Sequence, residues 1–133
     1  MIAISDLDGT AREYLRAAKL LRTRHSYDAS VYLCGYAVEI ALKARICRML
    51  KWTTEFLETN SEFQDKGNLK THDFEALLNF TGLRDKVEQD YVDEWSVVCR
   101  WRPEQRYNPA GTKGLAEAND IILSTQKLLR VLL

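Results

Sequence analysis

The stretch YDASVYLCGYAVEIALKARICRML, residues 27–50, decides the fold. It has no proline and is long enough for about six turns of α-helix. Projected on a helix, its apolar residues fall into two nearly opposite sectors. One sector holds Ala29, Leu33, Tyr36, Ile40, Ala44 and Cys47, and the other holds Val31, Val38 and Leu42. This pattern predicts a central helix with neighbours on both sides, which small residues such as Gly35 allow to approach closely.

A narrow stripe separates the two sectors and contains Tyr32, Tyr36, Glu39, Lys43 and Ile46. Glu39 and Lys43 stand four residues apart in the favourable order for an ion pair within a helix. A charge flanked by apolar sectors is costly to bury unless it is paired. Two interpretations follow: the pair fixes the packing of the helix, or it forms the polar floor of a groove.

The rest of the chain also predicts helices. The first runs from about residue 6 or 8 to 24, with Ser5 or Asp8 as its N-cap. Residues 52–68 suggest a short helix and a loop, and residues 102–114 a loop with two prolines. A further helix is predicted to begin near Thr71 or Asp73 and to end at Gly82, and another to run from 83 to about 101. The last helix is predicted over residues 112–133. Its inward-facing residues are Leu115, Ala118, Ile122, Leu129 and Leu133. The predicted fold class is all-α, an up-and-down bundle of four to five helices forming a single domain over residues 1–133.

Composition excludes several classes of protein. Nineteen basic side chains balance nineteen acidic ones, so the whole chain has no net attraction for nucleic acid or anionic membranes. Three cysteines make a poor disulfide framework, and no window resembles a membrane span. The first ten residues lack the features of a signal peptide. We therefore expect a cytoplasmic protein that does not associate with membranes.

The histidine in Thr71-His72-Asp73 is the first candidate for chemistry outside the central helix. Asp73 suits a helix N-terminus, and His72 is either a buried structural residue, hydrogen-bonded to a group such as Glu39, or a proton donor and acceptor. Neither His25 nor His72 lies within helical reach of a cysteine, so we expect no metal site and no cofactor.

The segment RWRPEQRY, residues 100–107, is the second candidate because it concentrates charge in an otherwise neutral chain. Its arginines are Arg100, Arg102 and Arg106, and Tyr107 closes it. Guanidinium groups bind phosphate in pairs of hydrogen bonds, and aromatic rings stack on bases. The segment predicts an anion or RNA site, unless its arginines pair with Asp93, Glu94 or Glu104 while Trp101 joins the core.

Three sequence motifs together resemble the HEPN family, the higher eukaryotes and prokaryotes nucleotide-binding domains. They are the first helix over residues 11–21, the run YLCGYAVEIALKA at residues 32–44, and THDF at residues 71–74. The aromatic and arginine residues 101–107 are similar to those of one subset. The resemblance implies a helical bundle that dimerises, and in many members a metal-independent ribonuclease, often beside a minimal nucleotidyltransferase antitoxin.

The ribonuclease motif of that family, R-x4–6-H, does not occur at either histidine of this chain. Our leading hypothesis is therefore a dimeric binding or regulatory module that contacts RNA or a nucleotide through Arg100, Arg102, Arg106 and Tyr107. One alternative is a variant ribonuclease toxin with His72 and Arg102 as catalytic residues and Glu39, Lys43 and Asp73 as binding residues. Another is a purely structural module that binds a protein.

Overall fold

The structure is a computed structural model that describes the backbone of residues 2–50, 55–56 and 71–133, and the side chains of residues 5–50 and 71–133. Six α-helices are present in these ranges, which confirms the all-α class. They are α1 (Ile4–Thr23), α2 (Tyr27–Met49), α3 (Phe74–Phe80), α4 (Arg84–Asp90), α5 (Val92–Val98) and α6 (Leu115–Leu132). A 3-10 helix covers Pro103–Tyr107. Two short strands, β1 (Ile2–Ala3) and β2 (Glu55–Phe56), pair antiparallel, with Ile2 opposite Phe56 and Ala3 opposite Glu55.

Helix α2 occupies the centre, as its two apolar sectors predict. It packs against α1, α6 and α3, and residues of both sectors, such as Val38 and Cys47, are fully buried. The hydroxyl of Ser30 donates a hydrogen bond of 2.7 Å to the carbonyl of Ala18 and so joins α2 to α1. The predicted sectors are wrong at their edges, because Ala29 is exposed and Ile46 is buried rather than on the polar stripe.

The predicted N-caps of the first helix are wrong. Helix α1 begins at Ile4, so Ser5 and Asp8 lie inside it. Asp8 forms an ion pair with Arg48 of α2 instead. The last helix begins at Leu115 rather than at 112, because the carboxylate of Glu117 accepts the Gly114 N–H and fixes the helix start there. Leu115 is consequently 49% exposed and does not face inward as predicted.

The helix predicted from 83 to 101 is divided into α4 and α5. The backbone of Tyr91 leaves the helical region, with φ −132° and ψ 26°. Asp90, Tyr91, Val92 and Asp93 all have weak helix propensity, which explains a break at this point. The helical pattern predicts five inward-facing residues here: Val87, Trp95 and Val98 are buried as predicted, while Tyr91 and Cys99 are only partly buried.

Of the two predicted connections, only the second can be compared with the structure over its whole length. The expected short helix and loop over residues 52–68 lie outside the described residues, apart from the strand at Glu55–Phe56. The predicted loop over 102–114 contains the 3-10 helix. Trp101, just before it, is 1% exposed and joins the core. In the described part of the chain, no helix is both long and apolar enough to cross a membrane.

Candidate functional site

The polar side chains of α2 form a continuous stripe on the side that meets α3 and the 3-10 helix. We define the α2 stripe as Tyr32, Tyr36, Glu39 and Lys43. The hydroxyls of Tyr32 and Tyr36 lie 3.1 Å apart and their rings meet edge to face. This hydrogen bond, together with partial burial, raises the pKa of Tyr36 to about 12, so its hydroxyl stays protonated at neutral pH.

Glu39 is the buried charge of the stripe, with only 5% of its surface exposed. Lys43 Nζ lies 3.6 Å from one carboxylate oxygen, and His72 Nδ1 donates a hydrogen bond to the other. A buried carboxylate needs such partners because burial removes its hydration. The His72 side chain is 55% exposed, so the interpretation of this histidine as buried is wrong, while its predicted hydrogen bond to Glu39 is present.

His72 stands at this position because of the start of α3. The Asp73 carboxylate caps the helix by accepting the N–H of Glu75 at 3.0 Å and that of Ala76 at 3.4 Å. Thr71 Oγ1 accepts the N–H of Asp73 and tightens the preceding turn. These bonds fix the backbone on both sides of His72. They also make Asp73 the N-cap of α3, and Asp73 is one of the two residues predicted for that position.

Arg106 contacts the other end of the α2 stripe. Its guanidinium lies 4.8 Å from the centre of the Tyr107 ring. Hydrogen bonding to the hydroxyls of Tyr107 and Tyr32 raises the pKa of Arg106 above its usual value. Arg106 also interacts with Tyr36. Tyr107 itself is 76% exposed, so its ring presents a free aromatic surface beside a cation.

A groove of about 210 Å³ opens beside Arg106. Its walls include Tyr32 of α2, Gln105 and Arg106 of the 3-10 helix, and Lys113 of the following loop. Asp28 also lines the groove, and its two oxygens accept the N–H groups of Gly111 at 2.7 Å and Lys113 at 2.9 Å. Asp28 therefore fixes the loop that brings Lys113 close to Arg106.

The other two arginines of the segment face elsewhere. Arg102 Nη1 donates to the carbonyls of Cys99 at 2.7 Å and Trp101 at 2.8 Å, which closes the C-terminal end of α5. Arg100 lines an adjoining groove of about 140 Å³ together with Glu117 and Asp120, and this groove shares Gln105 and Lys113 with the Arg106 groove. The three guanidinium groups, adjacent in sequence, therefore do not converge, and only Arg106 reaches the α2 stripe.

The buried indole of Trp101 holds the 3-10 helix against α2. It stacks on Phe74 with ring centres 5.5 Å apart, and it meets Tyr36 edge to face at 4.9 Å. A Cβ atom at Gly35 would lie 2.0 Å from this indole, so the contact depends on glycine. Sequence reasoning identified Gly35 as a point of close approach but missed Trp101 as the neighbour, and it missed Asp28 and Lys113.

Arg106 and His72 occupy the two ends of one surface rather than one pocket. Tyr32 and Glu39 are seven residues apart on α2, which corresponds to about 10 Å along the helix axis. Tyr36 lies between them and contacts the arginine end. A ligand longer than a single phosphate group could contact both ends. Among the described residues, no cluster of His, Cys, Asp or Glu could hold a metal ion.

Comparison with known proteins gives one finding. A family model, the HEPN domain, matches residues 4–52. No curated protein and no solved structure matches the chain. The matched segment contains α1 and α2, and hence the whole α2 stripe, but neither His72 nor the arginine segment. The predicted resemblance over residues 71–107 stays a prediction.

Proposed function

We propose that this chain is a small HEPN-type module that binds single-stranded RNA or a nucleotide at the Arg106 end of the α2 stripe. The observation that carries the proposal is the position of Arg106, between the tyrosine hydroxyls of α2 and the exposed ring of Tyr107. The HEPN match over residues 4–52 supports the proposal, since it includes the helix on which the site is built.

The groups at this end of the stripe suit a phosphate and a base. Arg106 and Lys113 supply two cations in a groove whose carboxylate, Asp28, is already bonded to backbone N–H groups. The arginine fork can hold a phosphate through two parallel hydrogen bonds. Tyr107 offers a ring on which a base can stack, a contact worth about 1–3 kcal/mol. Arg102 is not part of this proposal because its guanidinium is bound to backbone carbonyls.

The test is the affinity of the purified protein for a fluorescent single-stranded RNA, measured by anisotropy over a range of salt concentrations. We expect Arg106→Gln to weaken binding about tenfold, which is the loss of about 1.4 kcal/mol. It should also reduce the dependence on salt, because one phosphate contact contributes about 0.7 to the logarithmic slope for single strands.

Arg102→Gln is the matched control, since it removes the same charge four residues away. Equal losses of affinity in the two variants would show that binding follows net charge alone and would contradict the site. RNA affinity that is unaffected by Arg106→Gln would contradict it as well.

A second candidate function is a metal-independent ribonuclease, and the His72–Glu39 hydrogen bond favours it. A carboxylate bound to one nitrogen fixes the orientation and tautomer of an imidazole and leaves the other nitrogen for proton transfer. The His72 ring is more than half exposed and so accessible to a ligand. In this reading His72 would move a proton during attack by the RNA 2′-hydroxyl, while Arg106 rather than Arg102 would hold the phosphate.

Cleavage of RNA in the presence of EDTA tests this second candidate. We expect His72→Ala to abolish cleavage while RNA affinity stays within about twofold, because the binding groups lie at the other end of the stripe. His25→Ala is the control, since the His25 side chain hydrogen-bonds only to Tyr27 among the described residues. An RNA substrate that stays intact with the unaltered protein would exclude the ribonuclease and leave the binding module.

The partners implied by the HEPN resemblance are a second copy of the chain and a minimal nucleotidyltransferase antitoxin. The two apolar sectors of α2 and the apolar last helix also suggest a dimer from sequence, and one sector is only partly covered within the chain, since Ala29 is exposed and Leu33 and Ile40 are partly buried. The dimer remains a prediction from the resemblance. Light scattering at micromolar concentration would show twice 15.4 kDa for a dimer, and a mass of 15.4 kDa would contradict it.

A further inference from the structure

A second groove runs between α1 and α6, outside the site proposed above. It measures about 290 Å³. Its apolar walls come from Leu15, Leu129 and Leu133. Leu123, one turn before Gln126 on α6, is 56% exposed. The α1–α6 groove, as we call it, therefore has a floor of three leucines with one water-exposed leucine beside it.

The charged residues that line the α1–α6 groove are all cations: Arg12, Lys19 and Arg130. In the described part of the chain, none of the three has a carboxylate partner, whereas the neighbouring Arg16 is paired with Glu13. Among the residues that the structure describes, no acidic side chain lines the groove. In a chain with no net charge, three cations around leucines form a local surface of one sign.

The charge pattern also identifies the kind of partner. A symmetric dimer through this face would place cations against cations, which is unfavourable. An RNA strand would satisfy the cations, but the groove presents leucines rather than aromatic rings for the bases. An amphipathic helix with leucine-type residues on one face and carboxylates beside them would satisfy both the apolar floor and the three cations.

We propose that the α1–α6 groove is a docking site for an acidic amphipathic helix of another protein. From Arg12 to Lys19 the groove follows α1 for about 10 Å, or roughly two turns of a bound helix. The apolar residues of that helix pack on Leu123 and the leucine floor. Its glutamates or aspartates pair with Lys19 and Arg130, one on each side of the groove.

The test uses a synthetic helical peptide of about 14 residues, with leucines on one face and glutamates elsewhere. Binding to the isotopically labelled protein is followed by NMR. We expect shift changes confined to α1 and α6, and a loss of affinity of about tenfold or more in the double variant Lys19→Glu/Arg130→Glu. The variant Leu123→Ala/Leu133→Ala should also bind more weakly, because the contact is apolar as well as ionic.

Two controls match the charge change and the composition. The double variant Arg24→Glu/Lys86→Glu makes the same change in charge away from the groove and should bind as the unaltered protein does. A peptide of the same composition with scattered leucines should bind at least about tenfold more weakly. Equal binding of both peptides, or equal losses in both double variants, would overturn the proposal.

Four further outcomes would also overturn it. The peptide could fail to bind, or it could shift resonances outside α1 and α6. The groove could bind the single-stranded RNA instead, seen as a loss of RNA affinity in Lys19→Glu/Arg130→Glu. The chain alone could self-associate in a manner abolished by that variant, which would make the occupant a second copy. If a dimer still forms in Lys19→Glu/Arg130→Glu, its interface lies outside the groove, and the groove stays accessible to the peptide.

Discussion

Gly35 allows the Trp101 indole to lie directly on the backbone of α2, and this contact sets the position of the candidate site. We expect Gly35→Ala to destabilise the fold by about 1–3 kcal/mol, because the added methyl group overlaps the indole. Urea unfolding of the variant would measure this. Gly9→Ala is the control, since no atom lies within 4 Å of its new Cβ and alanine favours helix α1 by up to about 1 kcal/mol. An unchanged free energy of unfolding in Gly35→Ala would show that α2 and the Trp101 indole can move apart without loss of stability.

At the scale of elements, Glu75 connects three helices. Its carboxylate on α3 accepts hydrogen bonds from Arg84 of α4 at 2.8 Å and from the Trp95 indole of α5 at 2.6 Å. Arg84 first, and then Trp95, lower the pKa of Glu75. The carboxylate therefore stabilises the fold above the ordinary pKa of a glutamate, and this contribution is lost as pH falls through the lowered value.

We expect Glu75→Gln to reduce the free energy of unfolding at pH 7 by about 1 kcal/mol or less, since the ion pair is solvent-exposed. The difference from the unaltered protein should shrink at pH 3, where the carboxyl group becomes protonated. Urea unfolding at the two pH values measures this. Asp85→Asn on α4 removes a carboxylate with no partner among the described residues and should change stability little at either pH. A Glu75→Gln effect that grows in acid would contradict the assignment.

At the scale of the whole molecule, the three cysteines differ in how deeply they are buried in the fold. Burial raises the pKa of Cys34 to about 12 and that of Cys47 to about 11, while Cys99 is only partly buried. Because the thiolate is the reactive form, we expect Cys99 to react first with a thiol reagent at pH 8. Cys34 should react only when the molecule unfolds. Mass spectrometry of partially labelled protein would show the order, and early labelling of Cys34 would contradict the packing of α2 against α6.

The architecture was predictable from sequence because helical periodicity is a local property. The two apolar sectors of residues 27–50 predicted the central helix, and Asp73 predicted the start of α3. The break at Tyr91 was missed because four residues of weak helix propensity are outweighed in the pattern by Val87, Trp95 and Val98. The start of α6 depends on one side chain, Glu117, that sequence reasoning left unused.

The site was predictable only in part because it depends on contacts between distant segments. The stripe on α2 followed from helical spacing. That Arg106 reaches this stripe while Arg102 turns back to its own backbone depends on the path of the chain after Trp101. The anchoring of Lys113 by Asp28 joins residues 85 positions apart, and no local pattern signals such a pair.

Since α2 is both the centre of the core and the base of the site, its backbone links ligand contact to the most protected part of the molecule. Occupancy of the Arg106 groove would then slow amide hydrogen exchange along α2 and into the facing turns of α1 and α6, far beyond the atoms touched. In the bound protein, the amides with slowed exchange would follow the central helix rather than only the residues that contact the ligand.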